Sequence, residues 1–306
     1  MDVLALADGI RTGDRRAIAR AITAVENDVP GAFELMAQLP IRQDVPVFGI
    51  TGPPGAGKST LISGIVRQLL SRTNSAGNPY QVAVVAVDPT SPFTRGSLLG
   101  DRLRMHEHFN SEQVFIRSLA TRGALGGLSA TTLQVCDLLR SAPFDAVLVE
   151  TVGVGQSEVE IVSLADTVAV VLVPEAGDEI QALKSGIMEI GDLFVVNKSD
   201  REGADRFAAG LTKTLHERPL RGDWIIPVIQ TVAGEHKGVA ELIAAFFAHA
   251  GKTDVHRRHA LLAQRAYRLI QHRRMRNLDF AELSRELEQA AAEPGFNLYR
   301  FADQRS

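Results

Sequence analysis

Residues 47–61, VFGITGPPGAGKSTL, decide how the rest of the chain is read. An apolar run (Val47, Phe48, Ile50) enters Gly52-Pro53-Pro54-Gly55-Ala56-Gly57-Lys58-Ser59, after which Thr60, Leu61 and Ile62 open a helical pattern. The spacing G-x-x-x-x-G-K-[ST] between a strand and a helix is the phosphate-loop pattern. Phosphate oxygens need many donors at short range, and side chains would crowd them out. Gly52, Gly55 and Gly57 let backbone N–H groups turn inward around such an anion. The helix starting near Lys58 aims its positive dipole end at the same place. Lys58 is placed to bridge the β- and γ-phosphates as a point charge, and the Ser59 hydroxyl to ligate Mg²⁺. Residues Gly52 to Thr60 therefore imply a site for a nucleoside triphosphate.

Composition sets the frame around that stretch. The chain has 306 residues, 45% hydrophobic and 23% charged, with a net charge of -3. That is ordinary for a globular protein and leaves room for one large α/β domain with helical additions. The charge balance gives no general attraction to nucleic acid or to an anionic membrane, and neither is expected as a partner. The single cysteine, Cys136, excludes an internal disulfide and a Cys-built metal site, which suits a reducing cytoplasm. Its neighbours Leu133, Leu138 and Leu139 predict a buried helix position. The opening MDVLALADGIRTGD lacks the basic segment and long apolar core of a secretion signal. No apolar run approaches the roughly 20 residues of a membrane span. The expectation is a cytoplasmic protein.

Outward from the loop, the chain divides into three parts. Residues 1–44 read as a helical extension. Gly13-Asp14 caps a helix with Ala17, Ile18, Ala21, Ile22 and Val25 at helical spacing, Pro30-Gly31 breaks it, and Ala32 to Leu39 forms another. Residues 45–250 alternate short apolar runs with helical segments. The predicted strands are Val45–Ile50, Gln81–Val87, Val114–Ile116, Ala146–Val149, Thr167–Leu172, Leu193–Val196 and Trp224–Ile229. Near-continuous Val/Ile/Leu runs predict strands covered on both faces, hence a mostly parallel sheet in an α/β fold. Residues 251–306 turn basic and helical. His256-Arg257-Arg258-His259 and His272-Arg273-Arg274 flank Leu261, Leu262, Tyr267, Leu269 and Ile270, and Leu278, Phe280, Leu283 and Leu287 continue the spacing to Pro294-Gly295. The apolar stripes at both ends exceed what one nucleotide domain need bury, and they suit self-association.

Asn197-Lys198-Ser199-Asp200 follows the strand Leu193–Val196. Guanine presents two adjacent donors, N1–H and its exocyclic amine, and one carboxylate accepts both. Adenine lacks that amine and offers a lone pair at N1, so Asp200 would face an unpaired edge, which discriminates strongly. The Lys198 stem covers the base in this reading, and Asn197 ties its loop to the phosphate loop. The substrate expected is GTP, in a P-loop NTPase G domain. Asp88 and Glu150 end apolar strands, where carboxylates of a parallel sheet point at the nucleotide crevice and supply hard oxygens for Mg²⁺. Glu150-Thr151-Val152-Gly153 stands where many GTPases carry D-x-x-G. Gly153 offers its N–H to the γ-phosphate and swings when that phosphate leaves. Fast GTPases place a Gln directly after that glycine to orient the attacking water. Here Val154 follows, and the nearest candidate is Gln156, so intrinsic turnover is expected to fall far below about 10 s⁻¹.

The blocks GPPGAGKST, VDPTSPFTRGSLLGDR (87–102), ETVGVGQSE (150–158) and NKSD, in that order, resemble the MeaB/ArgK-type GTPases. These are the G-protein chaperones of methylmalonyl-CoA mutase, an adenosylcobalamin enzyme. The resemblance spans roughly residues 10–250 and implies that Asp88, Asp101 and Glu150 surround the magnesium site. It also implies a loop covering the guanine, here Thr231-Val232-Ala233-Gly234, with Val232 where the family has Ser. The C-terminal helices resemble the family's dimerisation arm in placement. The implied role is a homodimer that uses GTP to gate cobalamin loading and to protect or reactivate an acyl-CoA mutase. Two alternatives stay open. A nickel-enzyme maturation GTPase would carry His-rich or Cys-containing motifs, whereas the His residues are scattered and His106/His108 reads as a solvated helix pair. A transport-associated kinase finds no H-R-D or D-F-G pattern in the chain.

Overall fold

The computed structural model describes residues 1–88, 107–108, 110–120, 130–151, 161–177, 187–217, 223–250, 252, 255–275, 278, 280–292 and 295–303. Among these, seven strands form one sheet: β1 (Val47–Thr51), β2 (Val82–Asp88), β3 (Val114–Ala120), β4 (Ala146–Thr151), β5 (Thr167–Leu172), β6 (Leu193–Asn197) and β7 (Val228–Thr231). The order is β3-β2-β4-β1-β5-β6-β7, with every pairing parallel. The expected α/β fold with a parallel sheet is the one observed. The first strand sits in the middle, and later strands are laid first on one side and then on the other. The end of β1 is thus the topological switch point, where open parallel sheets bind ligands.

The helices are α1 (Val3–Thr12), α2 (Arg15–Glu26), α3 (Ala32–Gln38), α4 (Lys58–Leu70), α5 (Ala130–Ser141), α6 (Ile187–Ile190), α7 (Ala204–His216), α8 (Val239–Ala250), α9 (Val255–Met275), α10 (Phe280–Ala291) and α11 (Leu298–Asp303). Alternation along β1 separates two cores: Val47 packs with α1–α3, α5 and α7, while Phe48 and Ile50 pack with α4 and α8. Cys136 is buried in α5, as its leucine neighbours predict. No helix among the described residues is long and apolar enough to cross a membrane.

The stripe at 1–44 is not surplus, which corrects the expectation that it is open for self-association. Leu6, Ile10, Ile18, Ile22 and Leu35 are buried in the same core as Val85 and Val147 of the sheet. Asp14 caps α2 by accepting from the Arg16 and Ala17 N–H groups, and Gly13, at φ 82, ends α1 in the left-handed region. Arg15 donates to the Val114 carbonyl at 2.8 Å and the Ser111 carbonyl at 3.2 Å, and Arg117 pairs with Glu26, so the extension is fastened to β3.

Strand ends shift for identifiable reasons. Pro46 has no N–H to give a ladder, and β1 begins one residue later, with the Val47 N–H taken by Asp166 at 2.8 Å. β3 runs on through Arg117 and Ser118, where the apolar run stops. β7 starts at Val228 and not at Trp224, whose indole N–H donates to the Asp192 carbonyl at 2.8 Å. The stripe expected to continue through 278 is split, since α9 ends at Met275 and α10 starts at Phe280.

Contacts group the chain into two units, Met1–Arg258 and His259–Ser306, eight residues beyond the boundary expected at 250/251. In the second unit Phe301 is buried and its ring lies tilted against that of Phe296, with centroids 6.2 Å apart, while Tyr267, Ile270, Met275, Phe280 and Tyr299 are exposed.

Candidate active site

The phosphate loop joins β1 to α4 and is built on three left-handed glycines: Gly52 (φ 139), Gly55 (φ 76) and Gly57 (φ 88). Two admit no side chain for a second reason. A Cβ on Gly52 would lie 2.1 Å from the Val171 carbonyl oxygen, and one on Gly57 would lie 2.4 Å from Asn197 Nδ2. Pro53 and Pro54 contribute no N–H, so they stiffen the turn without adding donors. Lys58 is buried and curls over the loop, its Nζ donating to the Gly52 carbonyl at 2.8 Å and the Pro53 carbonyl at 3.0 Å. Thr60, one position past Ser59, is exposed.

Ser59 and Glu150 meet at the mouth of the crevice. The Ser59 hydroxyl donates to Glu150 Oε1 at 2.7 Å, and both residues are buried. Glu150 lies within β4 and not after it, because the strand continues to Thr151. Thr151 donates its hydroxyl to Thr51 at 2.8 Å and locks the ends of β4 and β1 together. Two adjacent hard oxygen donors at the start of the loop helix match what Mg²⁺ takes, so these residues fit the ion. Asp88 closes β2. Asp101, Gly153 and Gln156 lie outside the described residues. Among the described residues no group of three or more His, Cys, Asp or Glu side chains could hold a metal.

The NKSD tetrad turns away from the end of β6. Asn197 is buried, and its Nδ2 donates to the Ala56 carbonyl at 2.8 Å. Its Oδ1 accepts from the Thr231 hydroxyl at 3.0 Å and the Ala233 N–H at 3.1 Å. One amide therefore ties the phosphate loop to the loop after β7. Lys198, at φ 57, donates from Nζ to the Gly55 carbonyl at 2.8 Å, drawing its stem across the crevice. Asp200 is exposed, with its carboxylate open to solvent. Arg201 pairs with Glu175, a contact that holds this half-exposed carboxyl below its ordinary range.

The loop Val232–Lys237 closes on itself through the Val232 N–H, which donates to the Lys237 carbonyl at 3.1 Å. Val232 and Ala233 thus have their N–H groups engaged, and Gly234 is exposed. Lys237 pairs with Glu235 at 2.7 Å; that bond, with a smaller contribution from Asp200, raises the ammonium pKa.

A polar cluster on the outer face of α4 escaped sequence reasoning. Ser63 and Arg67 lie one turn apart on this helix, so they share a face. The Ser63 hydroxyl contacts Glu107 and lies 3.0 Å from His108 Nε2, and Arg67 pairs with Glu107 at 2.5 Å and meets His236 Nε2 at 3.0 Å. His108 is buried, not the solvated residue expected, and His106 lies outside the described residues. Burial lowers the His108 pKa against the pull of Glu107, and the Ser63 hydrogen bond lowers that of Glu107.

The family described as methylmalonyl Co-A mutase-associated GTPase MeaB matches residues 18–291. A putative GTPase of Pyrococcus horikoshii is 48% identical over 241 residues, 78% of this chain and 74% of that protein. The GTPase ArgK of Escherichia coli is 37% identical over 244 residues, 76% of this chain and 71% of ArgK. The crystal structure of a LAO/AO transport system kinase aligns with a TM-score of 0.67 at 26% identity, covering 98% of this chain and 96% of that one.

Proposed function

Because this chain belongs to the MeaB family of methylmalonyl Co-A mutase-associated GTPases, we propose that its GTP cycle serves a cobalamin-dependent acyl-CoA mutase. The chain is a GTP-binding and GTP-hydrolysing enzyme. In the proposed role, the nucleotide state gates adenosylcobalamin loading and protects or reactivates the mutase. The family match supports this reading over nickel-enzyme maturation or transport-linked phosphorylation.

One geometric observation carries the nucleotide part: Asn197 is hydrogen-bonded at once to the phosphate loop and to the loop after β7. Base reading and phosphate binding then share one rigid piece. Asp200 is the carboxylate that accepts from guanine. A guanine oxygen takes its backbone donor from Gly234, or competes with Asn197 for the Ala233 N–H. Lys58 leaves the carbonyls of Gly52 and Pro53 for the β- and γ-phosphates. Ser59, with Glu150 behind it and Asp88 and Asp101 as further carboxylates, would hold Mg²⁺, which would supply positive charge where the phosphates develop negative charge. Glu150 accepts from the Ser59 hydroxyl and so orients its lone pairs. Gly153 and Gln156 are the proposed γ-phosphate sensor and water-positioning candidate.

The exposed apolar residues of α9–α11 support a homodimer formed through this arm. Substitution Asp200→Asn should weaken GTP by two orders of magnitude or more, on the scale of lost hydrogen-bond selectivity, and leave ATP unchanged. Calorimetric titration of GDP, GTP and ATP checks it, and equal affinities in the native chain would sink the guanine assignment. The partner is tested by GTPase rate and mass with and without the cell's acyl-CoA mutases. A rate indifferent to all of them would remove the chaperone role and leave the GTPase.

A further inference from the structure

We infer that Arg67 is a positioning residue for nucleotide exchange: it braces the loop Val232–Lys237 from outside while Asn197 holds it from inside. The inference rests on the reading of that loop as the cover of the base. Arg67 reaches in two directions from the outer face of α4. One arm lies 3.0 Å from His236 Nε2, and the other pairs with Glu107 at 2.5 Å. Glu107 is itself held by the Ser63 hydroxyl, one turn back on the same helix. A guanidinium only donates, so His236 Nε2 must offer its lone pair, and the ring carries its proton on Nδ1. Nδ1 faces Gly64, where an added Cβ would lie 3.2 Å away, so the small residue permits the approach. His236 adopts φ 57 as the left-handed residue that closes the turn Ala233–Glu235, and the Arg67 contact falls on this residue.

Exposure decides what kind of role this is. The side chains of Arg67 and Glu107 are 54% and 36% exposed, and ion pairs this open contribute little to global stability. A brace of that kind acts on the local opening of the loop, which is the step a base must wait for on leaving.

The test is release of a fluorescent GDP analogue from the full chain, chased with GDP, for Arg67→Ala, Arg67→Gln, His236→Ala and the double variant Arg67→Ala/His236→Ala. Each single substitution should speed release by about fivefold or more, the scale of a typical coupling between sites. The double variant should be no faster than the faster single one, and the melting temperature should barely move. Single-turnover hydrolysis should change less than release. Unchanged release, or effects that multiply in the double variant, would overturn the brace. A melting temperature that falls with unchanged release would reduce Arg67 to a structural contact and overturn it equally. Asp200→Asn separates the two levels. If it abolishes guanine preference while Arg67→Ala leaves release unchanged, only the brace falls; if preference survives Asp200→Asn, the base-cover reading falls and takes the brace with it.

Discussion

Helices α1–α3 and α9–α11, at opposite ends of the chain, both place apolar residues at helical spacing, yet they end in different surroundings. Ile18, Ile22 and Leu35 are fully buried against the sheet, whereas Tyr267, Phe280 and Tyr299 are 63%, 82% and 84% exposed. Periodicity declares that a helix has an apolar face and is silent about what covers it. On the N-terminal side the cover is the sheet itself. The N-terminal helices carry Arg15 and Glu26, which bond to the edge strand β3, and Asp14, which fixes the turn between α1 and α2. The C-terminal unit has Phe301 and Phe296 for its own small cluster.

The sharpest way to break this contrast is Ile22→Ala. Truncating a fully buried side chain should cost about 2–5 kcal/mol in a denaturant titration. A loss under about 0.5 kcal/mol would show that the extension is dispensable to the core. Next in size is Arg15→Ala, which leaves the strand-edge carbonyls of Val114 and Ser111 without their charged donor. Its expected cost is about 1.5–3 kcal/mol in the same titration.

Acid stability sharpens the contrast in another way, because buried and exposed groups titrate differently. His108 binds its proton less readily folded than unfolded, since burial lowers its pKa from 6.5. Its contribution is therefore complete above about pH 6.5 and is lost as the pH falls below that value. Glu107, lowered from 4.5, adds stability above about pH 4.5 that is lost on further acidification. His108→Gln should flatten the stability profile between about pH 7 and pH 5, read from thermal melts across that range. An unaltered slope would mean that other groups govern it.

The smallest effect on folding should come from Tyr267→Ser, within about 0.5 kcal/mol because the side chain is exposed. If the proposed homodimer forms through this arm, combining it with Phe280→Ser should shift the particle from dimer to monomer in sedimentation, with GTP binding retained. A dimer that survives both changes would place the interface elsewhere.

The parts of this molecule written contiguously were legible from residues alone. The phosphate loop, the NKSD turn and the apolar strands need only neighbours in sequence to be recognised. Glu150 was legible by type and place, although its contact with Ser59 across 91 positions was not. The Arg67 cluster was invisible because its members come from α4, from residues 107–108 and from the loop after β7, and none carries a motif. His108 misled for the same reason: a histidine in a polar stretch reads as solvated until Ser63 and α4 are seen beside it. β3 was cut short because Arg117 interrupts an apolar run, and its partner Glu26 lies 91 positions away.

A peptide group is a flat, stiff plate, so turning its oxygen one way turns the hydrogen on the next nitrogen the other way. The plate between Ala56 and Gly57 has its oxygen held by Asn197 at 2.8 Å. That grip aims the Gly57 hydrogen away from Asn197, to the opposite side of the plate. A side chain from the NKSD turn thus sets the polarity of a phosphate-loop amide without touching any phosphate. Asn197→Ala would release the plate to rotate, so in the proposed site GTP affinity and the preference for GTP over ATP should fall together in a calorimetric titration, and loss of one alone would uncouple them.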